Sequence, residues 1–184
     1  MKFRNFEELL KIVKGRPNRM VVPGANNREV MEACKMGQEY GLVSGGVFIG
    51  PRQPVLDAAE KAGIDLDKFE LVDSQDPAEM CNLAAGFIRQ GKGDFLLKGL
   101  VETKFYMKAV LNRETGLVEH GTALSHVVLF ETSHYHKLFA LADAAIFIKP
   151  TLDEKKKIIE NTVRIMRMLV WTLPGFQLSA RLKR

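Results

Sequence analysis

At 184 residues the chain suffices for one ordinary domain with a sizeable core, and 46% hydrophobic with 27% charged residues excludes a disordered or fibrous protein. The net charge of +5 belongs to the end of the chain: residues 166–184 hold Arg167, Arg181, Lys183 and Arg184 and no acid, and taking those four from 27 leaves 23 basic against 22 acidic residues over 1–165. A phosphate-tracking basic face is therefore not expected, and no apolar run approaches the roughly 18 residues of a membrane span, so neither nucleic acid nor membrane is an expected partner.

In chain order, Met1-Lys2-Phe3-Arg4-Asn5 has no apolar signal-peptide core, and Phe6 to Lys14 reads as an amphipathic helix. Arg19 to Val22 is a short strand broken by Pro23-Gly24. Asn26 or Asn27 caps a helix to about Tyr40, which Gly41 stops. Val43 to Ile49 is a glycine-rich strand, Pro51 to Ala62 a helix ending at Gly63, and Phe69 to Val72 a strand. Asp76-Pro77 opens a helix to about Arg89. Asp94 to Lys98 is a strand, then Gly99, then a helix from about Thr103 to Leu111. Leu124 to Glu131 reads as a strand buried on both faces, Leu138 to Ile148 as another strand interrupted near Ala142-Asp143, and Asp153 as the start of a last helix. Apolar runs alternating with helical periods predict one α/β domain with a doubly wound, mostly parallel sheet. Cys34 and Cys81 match no metal-ligand or redox spacing and suit a reducing cytoplasm.

In such folds ligands sit beyond the carboxyl ends of the strands. Lys98 stands at such an end, Gly99 lets the backbone turn closely, and Thr103 opens a helix. An ammonium, a hydroxyl and free backbone N–H groups then converge on a phosphate-sized anion site. A snorkelling lysine beside an ordinary helix start remains the plain alternative. Lys108 reaches the same ligand only if the helix begins late. Ser125 and His126, adjacent at the head of a strand, point to opposite faces and form no nucleophile–base pair. His126 is either a ligand contact or a hydrogen-bonded structural histidine. Asp143, inside an apolar run, is either a strand-end site residue or a cap. His134 and His136 have no third ligand at a sensible spacing, so no metal is expected. Gly45, Gly46 and Gly50 do not make the dinucleotide fingerprint.

The stretch Lys98-Gly-Leu-Val-Glu-Thr103, followed by Ala109-Val-Leu-Asn-Arg-Glu114, Gly116-Leu117, Ser125-His-Val127, Phe130-Glu131 and Ala142-Asp143, resembles the phosphate acetyltransferase/phosphate butyryltransferase family, the butyryl branch more closely. The resemblance runs in order from about residue 4 to 165. It implies transfer of an acyl group between coenzyme A and phosphate, both as substrates, with no further cofactor. It also implies a fold similar to isocitrate/isopropylmalate dehydrogenases, with two α/β domains around a cleft. Lys98, Gly99 and Thr103 fall where the family lines that cleft, and Lys108 stands where the family usually has arginine. Ser125, His126 and Asp143 complete the expected substrate-binding set; no catalytic residue is assigned.

Family members run to about three hundred residues, so residues 1–165 are expected to be the first domain only, with the second domain missing and little activity alone. Acyl-CoA and phosphate, a homo-oligomer, and a separate chain carrying the second domain are the expected partners. Residues 166–184 read as an atypical basic tail. Taken one base earlier, its codons permit Ala-His-Ala, Asp, Arg-Val, Ala and Ser, close to the family continuation, which makes a frameshift the expectation against a native tail of a short homologue. Two functions stay open: an acyltransferase, or a non-catalytic module that binds phosphate or coenzyme A or serves assembly.

Overall fold

Four parallel strands organise the first of two compact units into which the chain divides, residues 10–120 and residues 1–9 with 121–184. The computed structural model describes residues 4–15, 17–118 and 122–169. After α1 (Phe6–Val13) come β1 (Asn18–Pro23), α2 (Arg28–Glu39), β2 (Val43–Gly50), α3 (Arg52–Ala62), β3 (Phe69–Asp73), α4 (Pro77–Arg89), β4 (Phe95–Leu96) and α5 (Thr103–Val110).

The strand order is β3-β2-β1-β4, every pair parallel. Alternation along the strands splits the core in two. Met20, Val22 and Phe48 pack with Met31 and Cys34 of α2 and Val55 and Ala59 of α3. Val21, Val47 and Ile49 pack with Met80, Cys81 and Ala84 of α4 and Ala109 of α5. Helices thus cover both faces, the doubly wound arrangement expected from near-continuous apolar strands.

Local chemistry sets the helix ends. Asn27 caps α2, its side chain accepting from the Val30 N–H at 3.2 Å. Asp76 caps α4 through the Ala78 N–H at 3.0 Å, with Pro77 at the first helical position. Gly63 ends α3 in the left-handed conformation at φ 65°. β4 is shorter than the expected strand, but its hydrogen bonding continues on either side: the Asp94 N–H donates to the Arg19 carbonyl and the Leu97 N–H to the Val21 carbonyl.

The second unit, described by itself, departs from expectation. β5 (Val127–Thr132) and β6 (Tyr135–Ala142) form an antiparallel hairpin, followed by α6 (Leu152–Met168). The expected strand buried on both faces is instead a hairpin arm with no fully buried residue. The single domain expected from the sequence is two units, because this stretch pairs locally through the turn at Ser133-His134 instead of extending the parallel sheet. β6 stops at Ala142, and residues 143–150 are irregular. α6 starts from Thr151, which forms a reciprocal capping box with Glu154. The tail expected to differ in character lies outside the described residues from position 170 onward.

Candidate functional site

The order of strand addition reverses at β1: β2 and β3 follow on one side of it, and β4, still parallel, lies on the other. That is the switch point where open α/β sheets leave a crevice at their carboxyl ends. Lys98 and Gly99 follow β4 there, beside Pro23 and Gly24 at the end of β1. The Gly99 N–H donates to the Pro23 carbonyl at 3.0 Å and the Leu100 N–H to the Gly24 carbonyl at 2.8 Å. The fit depends on bare backbone. A Cβ on Gly99 would collide with the Gly24 carbonyl oxygen, and one on Gly24, whose φ is 72°, would sit 2.8 Å from the Leu100 backbone.

The segment then turns through Leu100 and buried Val101 into α5, and Thr103 is its first helical residue. Glu102, at the cap position, makes no side-chain cap; its carboxylate pairs with Lys104 at 2.8 Å. The first-turn N–H groups of α5 therefore take no capping bond from Glu102, while Thr103 and Lys98 are exposed. The helix begins at Thr103 itself, not later. Five residues on, Lys108 lies about 140° around the axis and about 7.5 Å along it. The condition for Lys108 to join Lys98 and Thr103 is thus not met, which corrects the expected grouping.

Behind this rim lie groups the sequence reading did not single out. Cys81 of α4 is buried, and burial pushes its thiol up, Asp76 adding to the rise while the nearby Lys98 ammonium works against it. Tyr106 of α5 is likewise raised, by burial first and then by Cys81. The thiol is thereby held protonated, an inert neighbour and not a nucleophile. Cys34, on the other side of the sheet, is pushed up to about 12 by burial. On the loop after β1, the Asn26 side-chain oxygen is buried with no hydrogen-bond partner among the described residues. A polar loop residue after a strand was the available signal for Asn26. Nothing local could have joined Cys81 and Tyr106 to Lys98, since 17 and 8 positions separate them in sequence.

The remaining expected site residues belong to the second unit. Ser125 Oγ accepts from the Asn161 amide of α6 at 3.0 Å, and the same amide donates to the Ala123 carbonyl at 2.8 Å. Asp143 resolves to the capping role. Its carboxylate accepts from the N–H groups of His126 at 3.0 Å, Ala145 at 2.8 Å and Ile146 at 2.9 Å. Burial raises its pKa, but these three donors and the His126 side chain outweigh that and hold it below the ordinary 3.8. Asp143 thereby fixes the head of β5 against the turn after β6. His126 Nδ1 is buried and has no hydrogen-bond partner among the described residues. His134 lies in the hairpin turn and His136 within β6; among the described residues no cluster of three or more His, Cys, Asp or Glu side chains is placed to hold a metal ion.

Residues 78–176 match the family model described as phosphate acetyl/butaryl transferase. The phosphate butyryltransferase of Clostridium beijerinckii is 34% identical over 161 residues, covering 87% of this chain and 53% of that protein. The phosphate acetyltransferase of Thermotoga maritima is 27% identical over 163 residues, covering 89% and 54%. Among solved structures, a phosphotransacetylase from Streptococcus pyogenes superposes with a TM-score of 0.70 at 18% identity, over 90% of this chain and 58% of that one. A branched-chain phosphotransacylase from Enterococcus faecalis V583 gives 0.66 at 21% identity, over 81% and 51%. These superpositions bear on the fold alone. The chain spans about half the length of the relatives it matches. With the family match covering more than half of its residues, and with the parallel sheet common to it and those structures, the chain belongs to the phosphate acetyl/butaryl transferase family.

Proposed function

We propose that this chain carries one wall of a phosphotransacylase site, at which acyl-CoA and inorganic phosphate give an acyl phosphate and free coenzyme A. The carrying observation is the placement of Lys98 and Gly99 at the sheet's switch point, directly before the exposed first turn of α5. In the reaction a phosphate oxygen attacks the thioester carbonyl carbon. The new C–O bond forms, the C–S bond breaks, and the sulfur leaves as a thiolate that takes up a proton. Lys98, the Thr103 hydroxyl and the first-turn N–H groups hold the phosphate and offset the charge that develops on the carbonyl oxygen. In the second unit, taken by itself, Ser125, oriented by Asn161, and His126, held through its backbone by Asp143, are further candidates for contact with substrate. Coenzyme A and phosphate enter as substrates, and the scheme uses no further cofactor.

The same reading takes residues 1–165 as the first part of a two-domain fold of the isocitrate/isopropylmalate dehydrogenase kind, followed by a basic tail, working as a cytoplasmic homo-oligomer. The half-length match to the relatives supports a second part carried on another stretch of polypeptide. Calorimetry with inorganic phosphate tests the site. Charge-assisted contacts are worth about 1.5–3 kcal/mol, so Lys98→Ala should weaken binding by about tenfold or more. Unchanged affinity in a folded variant removes Lys98 from the site. A second assay follows phosphate-dependent release of coenzyme A from butyryl-CoA. Little release is expected from this chain alone, since donors must converge from both walls of a cleft. Turnover of order 10 s⁻¹, an ordinary enzyme rate, would overturn the one-wall reading. Saturable binding with no turnover, even with the second half added, would favour the binding-module alternative.

A further inference from the structure

The β5–β6 hairpin has one face turned to α6 and one turned outward. On β6 the even-numbered residues run from His136 through buried Leu138 to the half-buried Ala140 and Ala142, and β6 packs against α6. The odd-numbered residues are exposed: Tyr135 at 44%, Phe139 at 40% and Leu141 at 46%, joined by Phe130 of β5 at 39%. Register places Phe130 opposite Phe139 and Val128 opposite Leu141, on the same face. The rings form a contiguous cluster, with Phe130 stacked on Phe139 at 5.4 Å and Tyr135 edge-on to Phe139 at 6.1 Å. Four such side chains at about 40% exposure present an apolar patch on the order of 300 Å².

Two further observations say what covers it. Among the described residues this sheet has only two strands, so each also presents a free edge. A two-stranded hairpin is marginal in water until further strands or a second layer join it. The relatives are about twice as long as the matched stretch, so their folds include a further stretch of about that length.

We infer that the outward face of the β5–β6 hairpin, centred on Phe130, Tyr135, Phe139 and Leu141, is the docking surface for the polypeptide that carries the second half of a phosphotransacylase. The inference rests on the function proposed above and adds to it the partner's seat. That partner adds strands or a layer to the hairpin and takes the aromatic cluster into its own core.

The test co-expresses the full 184-residue chain with a tagged segment of the Clostridium beijerinckii phosphate butyryltransferase, the half that this chain does not match. Equimolar co-elution is expected, with Phe139→Lys and Leu141→Lys each lowering the captured chain at least tenfold, while Lys155→Ala on exposed α6 leaves it unchanged. Hydrogen exchange on the unaltered complex needs no variant and should show slowed exchange of the β5 and β6 amides. No co-elution overturns the inference, as does a complex whose hairpin amides exchange at the free rate. Self-association of the chain that Phe139→Lys disperses would assign the face to a second copy and equally overturn it. Coenzyme A release separates the two readings. A hairpin-dependent complex without release upholds the docking surface and removes the proposed activity; release that Phe139→Lys leaves untouched does the reverse.

Discussion

Gly99 and Asp143 show how single residues hold the two candidate regions in shape by opposite means. At Gly99 the requirement is emptiness: the position of a Cβ is already taken by the Gly24 carbonyl oxygen, which is backbone and cannot swing aside. Gly99→Ala should therefore force β1 and the β4 loop apart and cost about 1–3 kcal/mol, the scale of overpacking, read from urea unfolding. A stability within error of the parent would show that the two loops are not in register. At Asp143 the requirement is charge. Three backbone N–H groups converge on its carboxylate, and Asp143→Ala leaves them without that acceptor, at a cost of about 1–3 kcal/mol. The pH dependence follows from the direction of the shift. The carboxyl titrates below its ordinary 3.8, so its contribution is fully present above that value and is lost as pH falls through the lower folded value. Parent and Asp143→Ala chains should thus differ most at neutral pH and converge in acid, once the pH has fallen through the lowered folded value. A gap that widens on acidification would contradict this cause.

At the scale of elements, α6 offers the clearest local test. Its start rests on Thr151 and Glu154 bonding reciprocally: the Glu154 N–H donates to Thr151 Oγ1 at 3.3 Å, and the Thr151 N–H donates to the Glu154 carboxylate at 2.7 Å. Thr151→Ala removes the first of these and should cost about 1 kcal/mol, seen as lost helicity at the start of α6 by hydrogen exchange. Unaltered protection there would locate the helix start elsewhere. The sequence placed this helix one residue late, at Asp153, because an acid opening a helix and a threonine two residues before it give the same pattern. The elements of the parallel sheet were legible to within a residue or two, since Asn27, Asp76 and Gly63 carry unambiguous end chemistry. The hairpin was not. A run such as Val127-Val-Leu-Phe reads the same in a strand buried on both faces and in one arm of a hairpin, and only the pairing partner decides. The proposed anion site was half legible: strand, lysine, glycine and helix start are consecutive in sequence, which is what proposes Lys98, Gly99 and Thr103. Buried Cys81 near Lys98, and half-buried Tyr106 near Cys81, come from helices whose packing no local pattern reports.

For the whole molecule the decisive quantity is where the charge lies. Over residues 1–165 basic and acidic groups nearly cancel, and Arg181, Lys183 and Arg184 follow near the end of the chain. A polyanion therefore meets a nearly neutral body with a short run of cations at one terminus. Binding to duplex DNA releases counterions in proportion to the phosphates neutralised, with a slope in log affinity against log salt of about 0.9 per contact. Three terminal cations then set a limit of about 2.7 for the magnitude of that slope. A chain ending at Leu169 should lose nearly all of its retention on a DNA column at low salt, while phosphate affinity at the proposed Lys98 site should not change. The two measurements separate a general attraction for polyanions from a built site for one anion. A slope well above 3 in the full chain, or retention that survives the shortening, would reveal a basic face on the folded units and reopen a nucleic-acid role.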